Sequence, residues 1–187
     1  MPYDDVMFKL KHCGKNVYIG QNVYIRYPEE FECGDNIIID DGCVFTTRVK
    51  LGNHIHICPT CTVIGGKGVL FTMDDFATMS AGCRIVCVSD DYLGSGLISS
   101  TIPDYARCDI VSSNITLGKH AILGTNTVVL PNAQIGEGVA TGAMTLVTRT
   151  LEPWGLYYGI PAVFHKERPR DVILAKEMVL KQREGWV

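Results

Sequence analysis

Residues 117–152 divide into six consecutive six-residue units, LGKHAI, LGTNTV, VLPNAQ, IGEGVA, TGAMTL and VTRTLE. A fixed short period held over this length marks a repeat architecture, and a hexapeptide period is that of a parallel β-helix. The units open on Leu117, Leu123, Val129, Ile135, Thr141 and Val147, and their fifth places hold Ala121, Thr127, Ala133, Val139, Thr145 and Leu151. An aliphatic opener and a small or branched fifth residue, both facing one interior, let successive coils stack on a narrow core. The fourth place reads His120, Asn126, Asn132, Gly138, Met144 and Thr150. Its early members are residue types that tolerate a left-handed backbone at a tight corner. Each unit is therefore a short strand followed by a corner.

The same period runs through much of the chain. CGKNVY and IGQNVY place Asn16 and Asn22 at corners, an irregularity falls at residues 28–32, and IDDGCV, FTTRVK, LGNHIH, ICPTCT and VIGGKG continue the pattern. Asp40, Asp41 and Gly42 read as corner residues. The period is looser over 69–88, stops between Ser89 and Asn114, and returns in phase at Ile115. A long insertion in a regular solenoid is more often functional than accidental. Residues 1–11 are expected to cap the open end. The repeat is expected to end at Pro153, Trp154 and Gly155, after which the chain leads away. Over 171–184, Val172, Ile173, Ala175, Val179 and Leu180 recur at helical spacing, with Pro169 suited to a first turn. This predicts a C-terminal helix packed on the solenoid or a neighbour. The organisation expected is a β-helix domain over 1–162, with its loop at 89–114, and a tail with helix over 163–187.

A chain of 187 residues suffices for one substantial core. Its net charge of −3 offers no electrostatic footprint for nucleic acid. The opening MPYDDVMFKL has no positive start, and no segment reaches the roughly 18 apolar residues of a membrane span. The chain therefore reads as soluble and cytoplasmic. Its eight cysteines form no recurring pair: Cys58 and Cys61 make a single CxxC, without the second pair of a structural zinc site. Cys43 and Cys61 take the inward fifth place, where a small apolar side chain is wanted.

The run LGKHAILGTNTVVLPNAQIGEGVATGAMTLVT, followed by GIPA, resembles the left-handed β-helix acyltransferases. That hexapeptide-repeat family includes galactoside, maltose, serine and nucleotide-sugar acetyltransferases, and the likeness spans residues 13–162. The left hand comes from the resemblance; the repeat alone gives a parallel β-helix. The resemblance implies an acetyl-CoA-dependent homotrimer in which acetyl-CoA lies in a groove between adjacent solenoids. Its pantetheine would follow backbone groups near Gly124, Gly142 and Ala143. The stretch Gly159, Ile160, Pro161, Ala162 is similar to one that lies by the nucleotide end of coenzyme A, and Lys166, Arg168 and Arg170 follow it as a cationic cluster suited to phosphates. In galactoside-type members the excursion helps enclose the acceptor.

Acyl transfer from a thioester needs a base for the nucleophile's proton and donors for the oxyanion. Of the five histidines, His54 and His120 fall at corner places and read as structural, and His12 sits on the first coil. His165 lies beyond the repeat. His56 directly precedes the inward Ile57, so strand alternation turns its ring outward. His56-Ile57-Cys58-Pro59-Thr60-Cys61 also resembles the H-[IV]-x-x-x-C pattern in which some of these enzymes hold their catalytic histidine. Galactoside- and maltose-type members place that histidine at the start of the excursion, where this chain has Val88-Ser89-Asp90-Asp91-Tyr92. Either His56 is the base, or Asp90 takes part. Asp74 or Asp75, about one coil of ~18 residues further on, is placed to fix the His56 tautomer or to meet substrate. Asp91 and Tyr92 are candidates for orienting sugar hydroxyls or an ammonium.

The expected reaction is direct acetyl transfer to an amino or hydroxyl group of a sugar, with a nucleotide-linked sugar of surface polysaccharide synthesis favoured over a plain galactoside or maltoside. No metal is expected, and no cysteine is assigned as a covalent carrier. Two other classes stay open. A zinc protein like the γ-class carbonic anhydrases would take His54, His56 and His120 as three ligands. A non-catalytic scaffold would use only the repeat surface.

Overall fold

The computed structural model describes residues 9–185, so the first eight residues of the expected N-terminal cap lie outside the described residues. Three sheets form the sides of a prism around which the chain winds. The first face holds His12–Cys13, Phe31–Cys33, Arg48–Leu51, Leu70–Met73 and Ile115–Leu117, all parallel. The second holds Val17–Ile19, Ile37–Ile39, Ile55–Ile57, Thr78–Met79, Ile122–Leu123, Ala140–Thr141 and Gly155–Tyr158, with Val163–Glu167 added antiparallel. The third holds Tyr24–Ile25, Val44–Phe45, Thr62–Ile64, Arg84–Val86, Val128–Val129 and Leu146–Val147. This is the parallel β-solenoid that the hexapeptide period predicts.

Strand alternation fills the interior. Ile37, Ile39, Ile55, Ile57, Met79 and Leu123 are buried from the second face, and Phe31, Phe71 and Leu117 from the first. The inward fifth place at the corner between the second and third faces carries Cys43, Cys61, Cys83, Thr127 and Thr145, all buried. Each donates to a main-chain carbonyl that lies in the corner: Cys43 Sγ to Cys58 O at 3.3 Å, Cys61 Sγ to Ser80 O at 3.2 Å, Cys83 Sγ to Gly124 O at 3.2 Å, and Thr145 Oγ1 to Gly142 O at 2.8 Å. A small side chain with a donor fills this column because a bare buried carbonyl is costly.

The corners demand positive φ. Between the first and second faces the corner residues are Asn16, Asn36, His54, Phe76, His120, Gly138 and Trp154, all with φ between 54° and 66°. For Phe76 and Trp154 this conformation is strained, and ring stacking offsets the cost. His54 and Phe76 stack at 5.1 Å, Phe76 and His120 at 5.1 Å, and Trp154 tilts beyond them at 6.1 Å from His120. Gly138 is required in this column because a Cβ there would meet the Trp154 indole at 2.4 Å. His54 and His120 are thus corner residues, as their repeat place predicts.

Two expectations are corrected. The repeat does not end at Gly155: Trp154 makes one more corner, Gly155–Tyr158 joins the second face, and Val163–Glu167 folds back on it. Trp is not a residue type that announces a corner, so the last coil is hidden in the sequence. The excursion, which the composition left as an irregular loop, has an ordered stalk, in which Val88–Asp90 pairs antiparallel with Ile110–Ser112.

The C-terminal helix, Asp171–Glu184, ends on Gly185 with φ 69°. Of the apolar residues that marked it, Val172, Ala175 and Val179 are exposed, and only Ile173 and Leu180 are half-buried. Its anchor is Glu177, only 8% exposed, which accepts hydrogen bonds from Lys119 Nζ at 2.5 Å, His120 Nε2 at 2.8 Å and Lys181 Nζ at 2.8 Å. Burial alone would raise the Glu177 carboxyl, but the bonds from Lys119, Lys181 and His120 outweigh it and hold the group at about 2. The ionised form is favoured by the fold, so its contribution is complete above pH 4.5 and is lost as the pH falls toward about 2. A carboxylate held that low favours the folded chain by at most about 3 kcal/mol. Glu177→Gln is therefore expected to lose about 1–3 kcal/mol at pH 7 in denaturant unfolding, with the gap to wild type closing between pH 4.5 and pH 2.5. A gap unchanged at pH 2.5 would contradict this clamp.

Candidate active site

On the second face the outward residues form a ladder in strict register: Tyr18, Ile38, His56, Thr78, Ile122, Ala140 and Leu156, closed by Lys166 on the antiparallel strand. His56 stands between buried Ile55 and Ile57, and its side chain is 44% exposed. Its Nε2 lies 2.8 Å from Asp40 Oδ2. Asp40 follows Ile38, the register partner of His56, by two residues. The same alternation therefore turns it outward, diagonally beside the ring. An ionised carboxylate only accepts, so the bond places the imidazole proton on Nε2 and leaves the Nδ1 lone pair as the basic site.

The sequence reading assigned this carboxylate to Asp74 or Asp75. That is corrected, because the coil after His56 is lengthened by residues 65–69, which makes Thr78 the register partner of His56. Asp75 sits at the other corner, where its Oδ1 accepts from Asn53 N at 2.7 Å and Asn53 Nδ2 at 3.0 Å. The true partner, Asp40, had been read as a corner residue.

Cys58 is the third member of the cluster, with Sγ 3.7 Å from Nε2 and 3.8 Å from Nδ1 of His56. Near-equal distances mean that the sulfur is in line with neither ring lone pair. Burial, with Asp40 and Cys43 nearby, pushes the thiol above its usual range. A cysteine does stand beside a base here, which sequence reasoning missed, but as a protonated thiol it is a poor nucleophile at neutral pH.

The excursion residues lie elsewhere in the chain. The stalk follows the strand Arg84–Val86 of the third face, whereas His56 stands at the middle of Ile55–Ile57 on the second. The Asp90 carboxylate faces Arg107 at 3.6 Å. Asp91 accepts from Leu93 N at 2.9 Å and Ser95 N at 3.4 Å, bonds that hold its carboxyl below the usual range and make it a turn residue of the loop. Tyr92 is exposed, its hydroxyl 3.2 Å from Ser89 Oγ.

The residues expected to hold coenzyme A divide. Gly124 N donates to Thr141 Oγ1 and Gly142 N to Tyr157 O, so both amides are spent within the solenoid. A Cβ on Gly124 would meet the Gly142 backbone at 2.6 Å, so coil stacking already accounts for that glycine. Ala143 is exposed at the corner between the second and third faces. Gly159, with φ 99°, and Pro161, after a cis bond, form the hairpin turn at that same corner, pinned by Leu146 N to Gly159 O and Ala162 N to Leu146 O. Lys166 is exposed at the end of the ladder. Arg168 departs from expectation: its guanidinium donates to His120 O at 2.8 Å and Gly138 O at 3.0 Å, at the opposite corner, and burial lowers its basicity. It staples main-chain carbonyls and is not free for phosphates. Of the three histidines of the zinc reading, His54 and His120 are engaged in the corner column by ring stacking, with His120 Nε2 bonded to the buried Glu177, and only His56 faces outward on the second face.

No family model matches the chain. It is 31% identical to the dTDP-4-amino-4,6-dideoxy-D-glucose acyltransferase of Escherichia coli over 184 residues, covering 95% of this chain and 94% of that protein. Its structure superposes on a single-substitution mutant of AntD, an N-acyltransferase from Bacillus cereus, in complex with dTDP-4-amino-4,6-dideoxyglucose and coenzyme A, with a TM-score of 0.90 at 32% identity over 97% of this chain and 96% of the other. The same enzyme in complex with dTDP and 3-hydroxybutyryl-CoA gives a TM-score of 0.88 at 32% identity, over 98% and 97%. The outward ladder and the long excursion thus belong to a protein alike over nearly its whole length to enzymes of one reaction class. The chain is a member of the hexapeptide-repeat β-helix acyltransferase family, as an acyl-CoA-dependent nucleotide-sugar acyltransferase.

Proposed function

We propose that the chain transfers an acyl group from acyl-CoA to the 4-amino group of a dTDP-linked 4-amino-4,6-dideoxy sugar, with His56 as general base. The observation that carries the acceptor is the likeness over almost the full length to an acyltransferase of that sugar and to an N-acyltransferase complexed with it. The dyad of His56 and Asp40 supports the base.

Coenzyme A runs along the second face beside the corner toward the third. Neighbouring strands are about 4.8 Å apart, which puts His56 about 14 Å from Ala140 and about 24 Å from Lys166 along the ladder. The thioester lies at His56, the pantetheine passes Ala143, and the phosphates reach the turn of Gly159 and Pro161 and the ammonium of Lys166. The sugar nitrogen gives up its proton to His56 Nδ1 as it bonds to the thioester carbon, and Asp40 steadies the imidazolium. The C–S bond then breaks, the thiolate takes the proton from His56, and the products are the amide and coenzyme A. Acetyl is the donor group that the sequence resemblance implies, and 3-hydroxybutyryl is the group carried by the Bacillus cereus complex.

The working unit is a homotrimer. Tyr18 and Ile38 on the second face, Tyr24 and Ile64 on the third, and Leu93, Leu97 and Tyr105 on the excursion are all exposed. Contact with neighbouring solenoids covers them and brings a partner's excursion, with Asp90 and Tyr92 beside the sugar, over His56. The enzyme works in the cytoplasm, in keeping with eight free thiols and with the lack, among the described residues, of a helix long and apolar enough to cross a membrane.

Thiol release is expected with dTDP-4-amino-4,6-dideoxyglucose and either acetyl-CoA or 3-hydroxybutyryl-CoA, with kcat/KM about 100-fold or more above that for galactosides or maltose. Acetylation of the plain sugars at equal efficiency would overturn the acceptor assignment. His56→Ala is expected to lower kcat by about 100-fold or more and Asp40→Asn by about 10- to 100-fold. Because the two act as a unit, the double variant should be no slower than His56→Ala. Effects that multiply would show that Asp40 does not act through His56.

A further inference from the structure

We propose that Asp40, His56 and Cys58 form a binding site for a divalent, thiolate-accepting metal ion of the zinc type, and that occupancy of this site switches off the base. Among the described residues this is the cluster whose His, Cys and carboxylate donor atoms all lie within 4.8 Å of one another. Zinc takes imidazole nitrogen, thiolate and carboxylate oxygen near 2.0–2.3 Å in tetrahedral arrangement, which sets such donors roughly 3.4–3.6 Å apart. Here Sγ to Nε2 is 3.7 Å and Nε2 to Oδ2 is 2.8 Å. Small adjustments therefore bring all three onto one ion. Cys58 and Asp40 are already outside the interior, on adjacent coils in fixed register, and the His56 ring, 44% exposed, has room to turn one nitrogen between them.

The proton balance links binding to function. Metal on Nε2 displaces the proton shared with Asp40 and moves it to Nδ1, so the imidazole stays neutral but has no free lone pair. The Cys58 S–H bond breaks, the thiolate binds the ion, and one proton leaves to solvent. The second half of the proposal, inhibition, rests on the reading of His56 as the base. The first half, binding, does not.

The test uses the full chain, wild type and Cys58→Ser, with Zn2+ and with Co2+ as a spectroscopic substitute. Wild type is expected to bind one Zn2+ per chain in competition with a chromophoric chelator, to release one proton on binding, and to show a thiolate-to-cobalt charge-transfer band with Co2+. Cys58→Ser, and separately Asp40→Asn, should weaken Zn2+ binding by at least the roughly 10- to 100-fold that even outer-shell changes bring. The band should vanish in Cys58→Ser, whose thermal unfolding checks that it is folded. Binding equal in wild type and Cys58→Ser, or no cobalt–thiolate band, would overturn the site. Acyl transfer by wild type should be blocked by Zn2+ and restored by chelator, with Cys58→Ser insensitive. A metal bound through Cys58 that leaves wild-type turnover intact would keep the site and remove His56 as the base.

Discussion

A coil of six-residue sides can close only if the backbone enters the left-handed region at its corners, and much else in this molecule follows from that requirement. Corner residues lie directly above one another, so their side chains are forced into columns. At the first corner the column is a chain of amides and rings from Asn16 through His54, Phe76 and His120 to Trp154. Bulky residues there carry backbone strain, and the face-to-face contacts of their neighbours offset it. The column also provides the seat for the C-terminal helix. His120 and Lys119 meet the buried carboxylate of Glu177, and Arg168 closes the carbonyls of His120 and Gly138.

The second corner is built differently, and this is why chemistry gathers there. Its residues are Asn22, Gly42, Thr60, Gly82, Asn126 and Met144, all but the last small or polar and none aromatic, and no helix seals it among the described residues. The inward column of Cys and Thr donors satisfies the carbonyls from within, which frees the outward places from structural duty. Asp40, His56 and Cys58 occupy those places on neighbouring coils. The parallel ladder below them supplies a straight track of regular spacing, suited to an extended cofactor. Rigid stacking thus fixes the spacing, and alternation fixes which side chains face the track.

The hexapeptide period made the fold legible because it states both which residues point in and which turn. The outward place of His56 followed from it, as did the structural duty of His54 and His120. Asp40 was missed although the same rule places it. Asp-Asp-Gly is also a turn signature, and choosing between turn and site needs the neighbouring coil. The misassignment of Asp75 has a different cause, since the extra residues at 65–69 lengthen one coil and no local signal says how much they shift the register. Glu177 carried no signal in the sequence, and Arg168 was read as a cation for phosphates, because the surfaces they meet are assembled from residues far away in sequence. Trp154 hid the last coil because its corner is held by contact with Gly138 and His120, while its own propensity argues against a corner.

The central claim is that the thiol end of coenzyme A comes to the corner at His56. Cys58 beside that ring reports on it directly. Coenzyme A disulfide can exchange with the Cys58 thiol to give a mixed disulfide and release one coenzyme A, and of the eight free cysteines only Cys13 and Cys58 are not buried. Peptide mass spectrometry after brief exposure should find coenzyme A on Cys58 in preference to Cys13, with protection by saturating acetyl-CoA. Labelling of Cys58 by a small alkylating agent, but not by coenzyme A disulfide, would contradict the account.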